Sequence, residues 1–230
     1  MEVLVLADAE AVARRAAELI AADARAAVTA RGRFALAVSG GHTPWQMLRA
    51  LADEDVPWNA VHLFQVDERV APAGDPDRNL THIRESLLAK VQLRPDQLHA
   101  MAVEETDLTA AAAHYARELV AVAGAPPTLD LVHLGLGPDG HTASLVPADP
   151  ALDVADADVT LSGPYQGRRR MTLTYPVLDR ARRILWVVTG AEKVEMLRRL
   201  RAGDRTIPAG RVSAERATVL ADAAAAGQSR

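Results

Sequence analysis

The stretch Leu129–Pro147, LDLVHLGLGPDGHTASLVP, decides how the rest of the chain is read. Leu129, Leu131, Val132, Leu134 and Leu136 form a near-continuous apolar run of strand length. Such a run predicts a parallel strand covered on both faces, in the middle of a sheet. It leads into Gly135, Gly137 and Gly140, with Pro138 barring a helix, and presents Asp139 and His141 two residues apart. In open α/β sheets, ligands bind at that end of the strands. Thr142–Leu145 is expected to open a short helix whose free N–H groups face an anion or a developing oxyanion. The letters Gly135-x-Gly137-x-x-Gly140 also fit a dinucleotide fingerprint, but Pro147, Pro150 and the acidic run 149–158 follow too soon for the long helix it needs. The blandest reading is a glycine turn with a solvated acid and base, and the context upstream weighs against it.

That context is a second strand-to-loop junction. Glu2–Leu6 reads as a strand, Asp8 as the cap of an alanine-rich helix running to about Ala30, and Phe34–Val38 as a buried strand. The last runs into Ser39-Gly40-Gly41-His42-Thr43-Pro44. Thr43 is expected to cap the following helix with Pro44 at its first position. A strand, a glycine pair and a helix start make a phosphate cradle, in which Gly40 and Gly41 let backbone N–H groups approach the anion and Ser39 and Thr43 add hydroxyls. An ordinary strand-to-helix turn fits the segment equally well. Ala37-Val38-Ser39-Gly40-Gly41 is also one residue away from a serine-hydrolase elbow, which would require an acid between Ser39 and the last histidine, His141.

Further along, Val61–Val66 predicts a third strand ending in Asp67-Glu68-Arg69, a carboxylate pair beside an arginine pointing into the same crevice. Arg69 suits a phosphate clamp, since a guanidinium holds two oxygens at once. Asn79 opens a helix through Leu88, and 107–122 is another helix. Strands follow at 170–174, 184–188 and 218–220, with a helical turn at 176–181, a helix at 191–200 and a helical stub at the end. Lys193, one of two lysines, falls in the first turn of the 191–200 helix.

Composition narrows the classes. The 230 residues, 49% hydrophobic, suffice for one α/β domain spanning 1–230. A net charge of −4 gives no reason to expect nucleic acid, and no segment reads as a membrane anchor. With no cysteine, disulfides, thiolate catalysis and cysteine-ligated metals are excluded. The start MEVLVLADAE lacks a basic n-region and a long apolar core, so a soluble, cytoplasmic protein is expected.

Taken in order, SGGHTP at 39–44, DERV at 67–70 with Asn79 downstream, GLGPDGHTASLVP at 135–147, RMTLTYPVL at 170–178 and TGAEKVEML at 189–197 resemble the glucosamine-6-phosphate isomerase/6-phosphogluconolactonase family, on its lactonase side. The resemblance implies a mostly parallel sheet flanked by helices, similar to the glucosamine-6-phosphate deaminase and ribose-5-phosphate isomerase superfamily. It also implies hydrolysis of a sugar-phosphate lactone without metal or cofactor; a monomer or weak homo-oligomer is expected. The residues suit that chemistry. A δ-lactone is an activated ester, so a water, a base and an oxyanion site suffice. His141 is the best general base, with Asp139 or Asp67 orienting it or holding sugar hydroxyls. Loop amides from Gly137 to Thr142 are candidates for the oxyanion site. Ser39, Gly40, Gly41, Thr43, Arg69 and Lys193 are candidates for the phosphate, and Asn79 and Arg170 for further contacts, a helix cap and plain surface charge being their respective alternatives. Deaminases of similar sequence carry a glutamate where Val146 precedes Pro147, and a valine relays no proton for ring opening. A non-catalytic sugar-phosphate sensor would come with a DNA-binding module, for which 230 residues leave no room.

Overall fold

The computed structural model describes residues 1–228. In chain order its regular elements are β1 (Glu2–Leu6), α1 (Ala9–Arg31), β2 (Phe34–Val38), α2 (His42–Leu51), β3 (Val61–Gln65), β4 (Asp67–Arg69), α3 (Asn79–Ile83), β5 (Leu98–His99) and α4 (Leu108–Ala123). The second half adds β6 (Leu131–Leu134), β7 (Val159–Tyr165), β8 (Arg168–Leu173), α5 (Tyr175–Arg180), β9 (Ile184–Val188), α6 (Val194–Arg201) and β10 (Ala217–Asp222). Seven strands form one sheet in the order β1-β10-β9-β6-β2-β3-β5, with every neighbouring pair parallel.

Side-chain alternation along the strands explains the near-continuous apolar runs. Ala35 and Ala37 of β2, and Ile184, Trp186 and Val188 of β9, join the core that also holds Tyr115 and Leu119 of α4, Leu178 of α5 and Leu197 of α6. Phe34, Leu36 and Val38, with Leu185 and Val187, join the opposite core with Val12, Ala16 and Ile20 of α1 and Met47 and Leu48 of α2. Both faces of the parallel sheet are therefore covered, which is the condition under which strands carry no polar face.

A second sheet of three antiparallel strands, β4-β8-β7, stands on the α4 side. The chain enters it directly from β3: the Val66 N–H donates to the Val38 carbonyl at 3.0 Å, and the Val66 carbonyl accepts from Leu173 at 2.8 Å. Strand β7, with Gly163-Pro164 inside it, was not foreseen from sequence. Three local expectations change. Gly41, not Thr43, is the N-cap of α2. Thr142–Leu145 is a tight turn closed by reciprocal backbone bonds between its ends, with Ala143 at φ 52°, and not a helix start. Its hydroxyls explain why: Thr142 Oγ1 donates to the Gly135 carbonyl at 2.9 Å and Ser144 Oγ to Asp67 at 2.6 Å, so tertiary partners take the residues a helix would need. The segment after β10 forms turns in place of the expected helical stub, as far as Gly227. No helix among the described residues is long and apolar enough to cross a membrane.

Candidate active site

The loops after β2 and β6 meet at the C-terminal ends of their strands, where a cavity of about 270 Å³ opens. Ser39, Gly40, Gly41, Asp67, Arg69, Gly137, His141, Arg170 and Lys193, all expected from sequence, line it. Ala143 and Gln166 line it too.

The His141 imidazole is held from one side. Its Nδ1 pairs with Asp139 Oδ1 at 2.6 Å, and its backbone N–H donates to the same oxygen at 3.1 Å. The Tyr165 hydroxyl donates to Asp139 Oδ2 at 3.0 Å, and its ring stands edge-on to the imidazole at 5.1 Å. Nδ1 is thereby committed to the carboxylate, and Nε2 has no protein partner among the described residues. Burial alone would raise the Asp139 carboxyl, but the His141 backbone N–H, the facing imidazole and the Tyr165 hydroxyl outweigh it and hold the group below its ordinary value. Gly137 makes room for this arrangement: a Cβ there would lie 2.1 Å from His141 Nδ1.

Asp67 lines the cavity from β4, accepting from Ser144 Oγ at 2.6 Å and from Asn79 Nδ2 at 3.3 Å. Alternation along β4 sends Asp67 and Arg69 to the cavity and Glu68 away from it. Glu68 is fully buried and accepts from the backbone N–H groups of Asn79 and Leu80 at 2.8 and 2.9 Å, beside the Arg78 guanidinium. The expected carboxylate pair is thus one site residue and one clamp on the start of α3. Asn79, expected to touch substrate, stands behind the cavity. It donates to the Asp67 carbonyl at 2.9 Å, and its Oδ1 lies where a Cβ on Gly40 would be, 1.9 Å away. Thr43 is likewise turned aside, its hydroxyl 2.6 Å from Thr189 Oγ1.

Three cations face the cavity, and none forms an ion pair among the described residues: Arg69, Arg170 and Lys193. Arg170 is 4% exposed, its guanidinium carbon 5.0 Å above the Tyr165 ring, and burial together with neighbouring Arg69 pulls it below its ordinary value. The Nε of each arginine and the Ser39 hydroxyl are buried without a hydrogen-bond partner among the described residues. Such groups are costly to bury unless something else completes them. The loop amides are more committed than expected. Those of Gly137, Gly140, His141 and Thr142 already donate to His141, Gly137, Asp139 and Leu145. Within the expected stretch only the Asp139 amide remains, and Asp139 does not line the cavity; Ala143, one residue beyond it, does.

Tyr165, Ser144 and Gln166 are site residues that sequence reasoning missed. The signal for Tyr165 and Gln166 was the alternation on both sides of Gln166-Gly167, whose positive φ values of 53° and 79° make a hairpin turn.

An imidazole with an oriented ring, opposite three cations that form no ion pair among the described residues, at the strand ends of a doubly covered parallel sheet, has the geometry of an α/β enzyme site for a small anionic substrate. Residues 7–221 match the family model described as glucosamine-6-phosphate isomerases/6-phosphogluconolactonase, and the chain belongs to that family. It is 37% identical over 193 residues to a 6-phosphogluconolactonase of Nostoc sp., covering 82% of this chain and 80% of the relative. It is 33% identical to one of Streptomyces coelicolor, covering 99% and 94%. The fold is similar to the crystal structure of the Thermotoga maritima 6-phosphogluconolactonase, with TM-score 0.85 at 27% identity over 96% of this chain and 98% of that one. A monomeric glucosamine-6-phosphate deaminase shares the fold at TM-score 0.85 and 18% identity, each chain covered in full.

Proposed function

We propose that the chain hydrolyses 6-phospho-D-glucono-1,5-lactone to 6-phospho-D-gluconate, the ring-opening step of the oxidative pentose phosphate pathway. The observation that carries this reading is the pairing of His141, fixed through Nδ1 with no partner at Nε2 among the described residues, with three cations that form no ion pair among those residues. In this mechanism Arg69, Arg170, Lys193 and the Ser39 hydroxyl hold the phosphate, with the Gly40 and Gly41 backbone close beside it. The lactone carbonyl then lies toward His141. Nε2 takes a proton from water as the water oxygen bonds to C1, and the Ala143 amide faces the resulting oxyanion. Collapse breaks the bond from C1 to the ring oxygen, and the imidazolium returns the proton to that oxygen. Asp139 stays ionised throughout and stabilises the imidazolium, as in other acid–histidine pairs. Asp67, with one oxygen committed to Ser144, accepts from a sugar hydroxyl.

The deaminase reading lacks its proton relay, since the residue before Pro147 is the buried Val146. A coupled assay on freshly made 6-phosphogluconolactone, corrected for spontaneous hydrolysis, tests the proposal. The expected result is a rate proportional to protein concentration, with far slower turnover of the lactone lacking phosphate. No acceleration, or conversion of glucosamine 6-phosphate in its place, would overturn it.

A further inference from the structure

The reaction above makes no use of His133, the third residue of β6 and 0% exposed. Its surroundings are set by how the central strands part. β2 pairs with β6 at Leu36 with Leu131 and at Ala37 with Val132, and the pairing ends there. β6 continues along β9 as far as Leu134 with Trp186. One chain then turns off into α2 and the other into the catalytic loop, which is the topological switch point of the sheet. Just past the last β2–β6 pair, the Ser39 N–H has no strand partner, and it donates to His133 Nδ1 at 3.3 Å. The imidazole therefore stands in for the strand at the opening of the crevice.

Accepting at Nδ1 fixes the tautomer: the proton is on Nε2, which finds no partner among the described residues. Burial depresses the ring to about 3, so it stays neutral. A leucine would remove the unpartnered Nε2–H but leave the buried Ser39 N–H without an acceptor, so what the histidine supplies here is the hold on Ser39. The Ser39 N–H is also spent on this contact, which leaves the Ser39 hydroxyl as the donor that residue turns to the cavity.

We propose that His133 is a positioning residue that sets the spacing between the loop 39–43, which holds the phosphate, and the loop 135–142, which carries His141. This rests on the lactonase reading, which wild-type activity tests separately. A substrate anchored at its phosphate presents its reacting carbon at a fixed reach, so a shift of one loop against the other misplaces the carbonyl from Nε2.

The test compares His133→Leu with His133→Asn, whose side-chain oxygen can take the place of Nδ1. In the leucine variant, hydrogen exchange at the Ser39 amide is expected to accelerate while that of Leu36 and Ala37 stays slow. Its preference for 6-phosphogluconate over gluconate in binding is expected to fall on the order of tenfold, as for one buried donor left unpaired. The asparagine variant should restore both. Unchanged exchange at Ser39 in His133→Leu, or unchanged discrimination, overturns the proposal, and the exchange arm holds whatever substrate the enzyme uses. If the leucine variant does not fold, His133→Asn decides: near wild-type exchange and discrimination support the role, and loss of either in a folded protein overturns it.

Discussion

Replacing Asp139 by asparagine isolates the charge beside the base. The amide is nearly isosteric, its oxygen can still accept from His141 Nδ1, and the Tyr165 hydroxyl can turn to face it, so the ring keeps its place. The carboxylate's attraction for the imidazolium that forms during the reaction is lost. Opposite unit charges 4 Å apart are worth about 4 kcal/mol at an effective dielectric of 20. The Asp139 side chain is 35% exposed and partly screened by water, so roughly 2–3 kcal/mol is expected, or about 30- to 150-fold in kcat. KM and thermal stability should change little, because the group neither touches the phosphate cations nor lies in the core. Wild-type Asp139 is held below its ordinary value, so it remains ionised from about pH 5 upward and no fall in rate above that pH belongs to it. Steady-state kinetics of both proteins on fresh lactone, with thermal melts alongside, make the comparison. A kcat within about threefold of wild type, less than 1 kcal/mol, would refute the reasoning.

Other expectations follow from the same geometry. Arg69→Gln should weaken 6-phosphogluconate far more than gluconate, by about 1.5–3 kcal/mol for a hydrogen-bonded charge, as read by titration calorimetry; equal losses would make Arg69 structural. Gly137→Ala should abolish most turnover, since its Cβ would displace the imidazole at 2.1 Å, and kinetics indistinguishable from wild type would show that the loop yields without moving His141. Stability should fall on acidification. His133 and His99 are depressed by burial to about 3 and about 4 from the ordinary 6.5, so below pH 6.5 the unfolded chain binds protons that the folded one refuses. Each contributes a loss of up to about 1.4 kcal/mol per pH unit, or roughly 3 kcal/mol by pH 4.5. Equal urea midpoints at pH 7 and 4.5 would contradict this.

The sheet and the main site loop were legible because their causes are local. Apolar runs such as Ile184–Val188 declare strands covered on both faces, and glycines clustered at strand ends declare loops. Spacing placed Asp139 near His141 but left Asp67 as an equal candidate for orienting the ring, and the contact of Asp139 Oδ1 with Nδ1 at 2.6 Å separates them. What sequence did not reveal depends on contacts between distant segments. Whether Asp67 or Glu68 faces the cavity turns on the register of β4 against β8, where Glu68 opposes Met171. Thr142–Leu145 reads as a capped helix until Asp67 and Thr172 claim Ser144. Tyr165 reaches the site through a hairpin strand that contains Gly163-Pro164, a pair that obscures the strand pattern. His133 was hidden inside an apolar run, where alternation marks it only as one more buried side chain.

The central claim is that His141 is the base. With His141→Ala, initial rates on fresh 6-phosphogluconolactone should show kcat lowered by about 10²- to 10⁴-fold, while affinity for 6-phosphogluconate stays near that of wild type. The acid limb of the kcat/KM profile should vanish with the imidazole. A variant that kept near-full kcat and the same pH profile would contradict the account and move the role of base to Asp67.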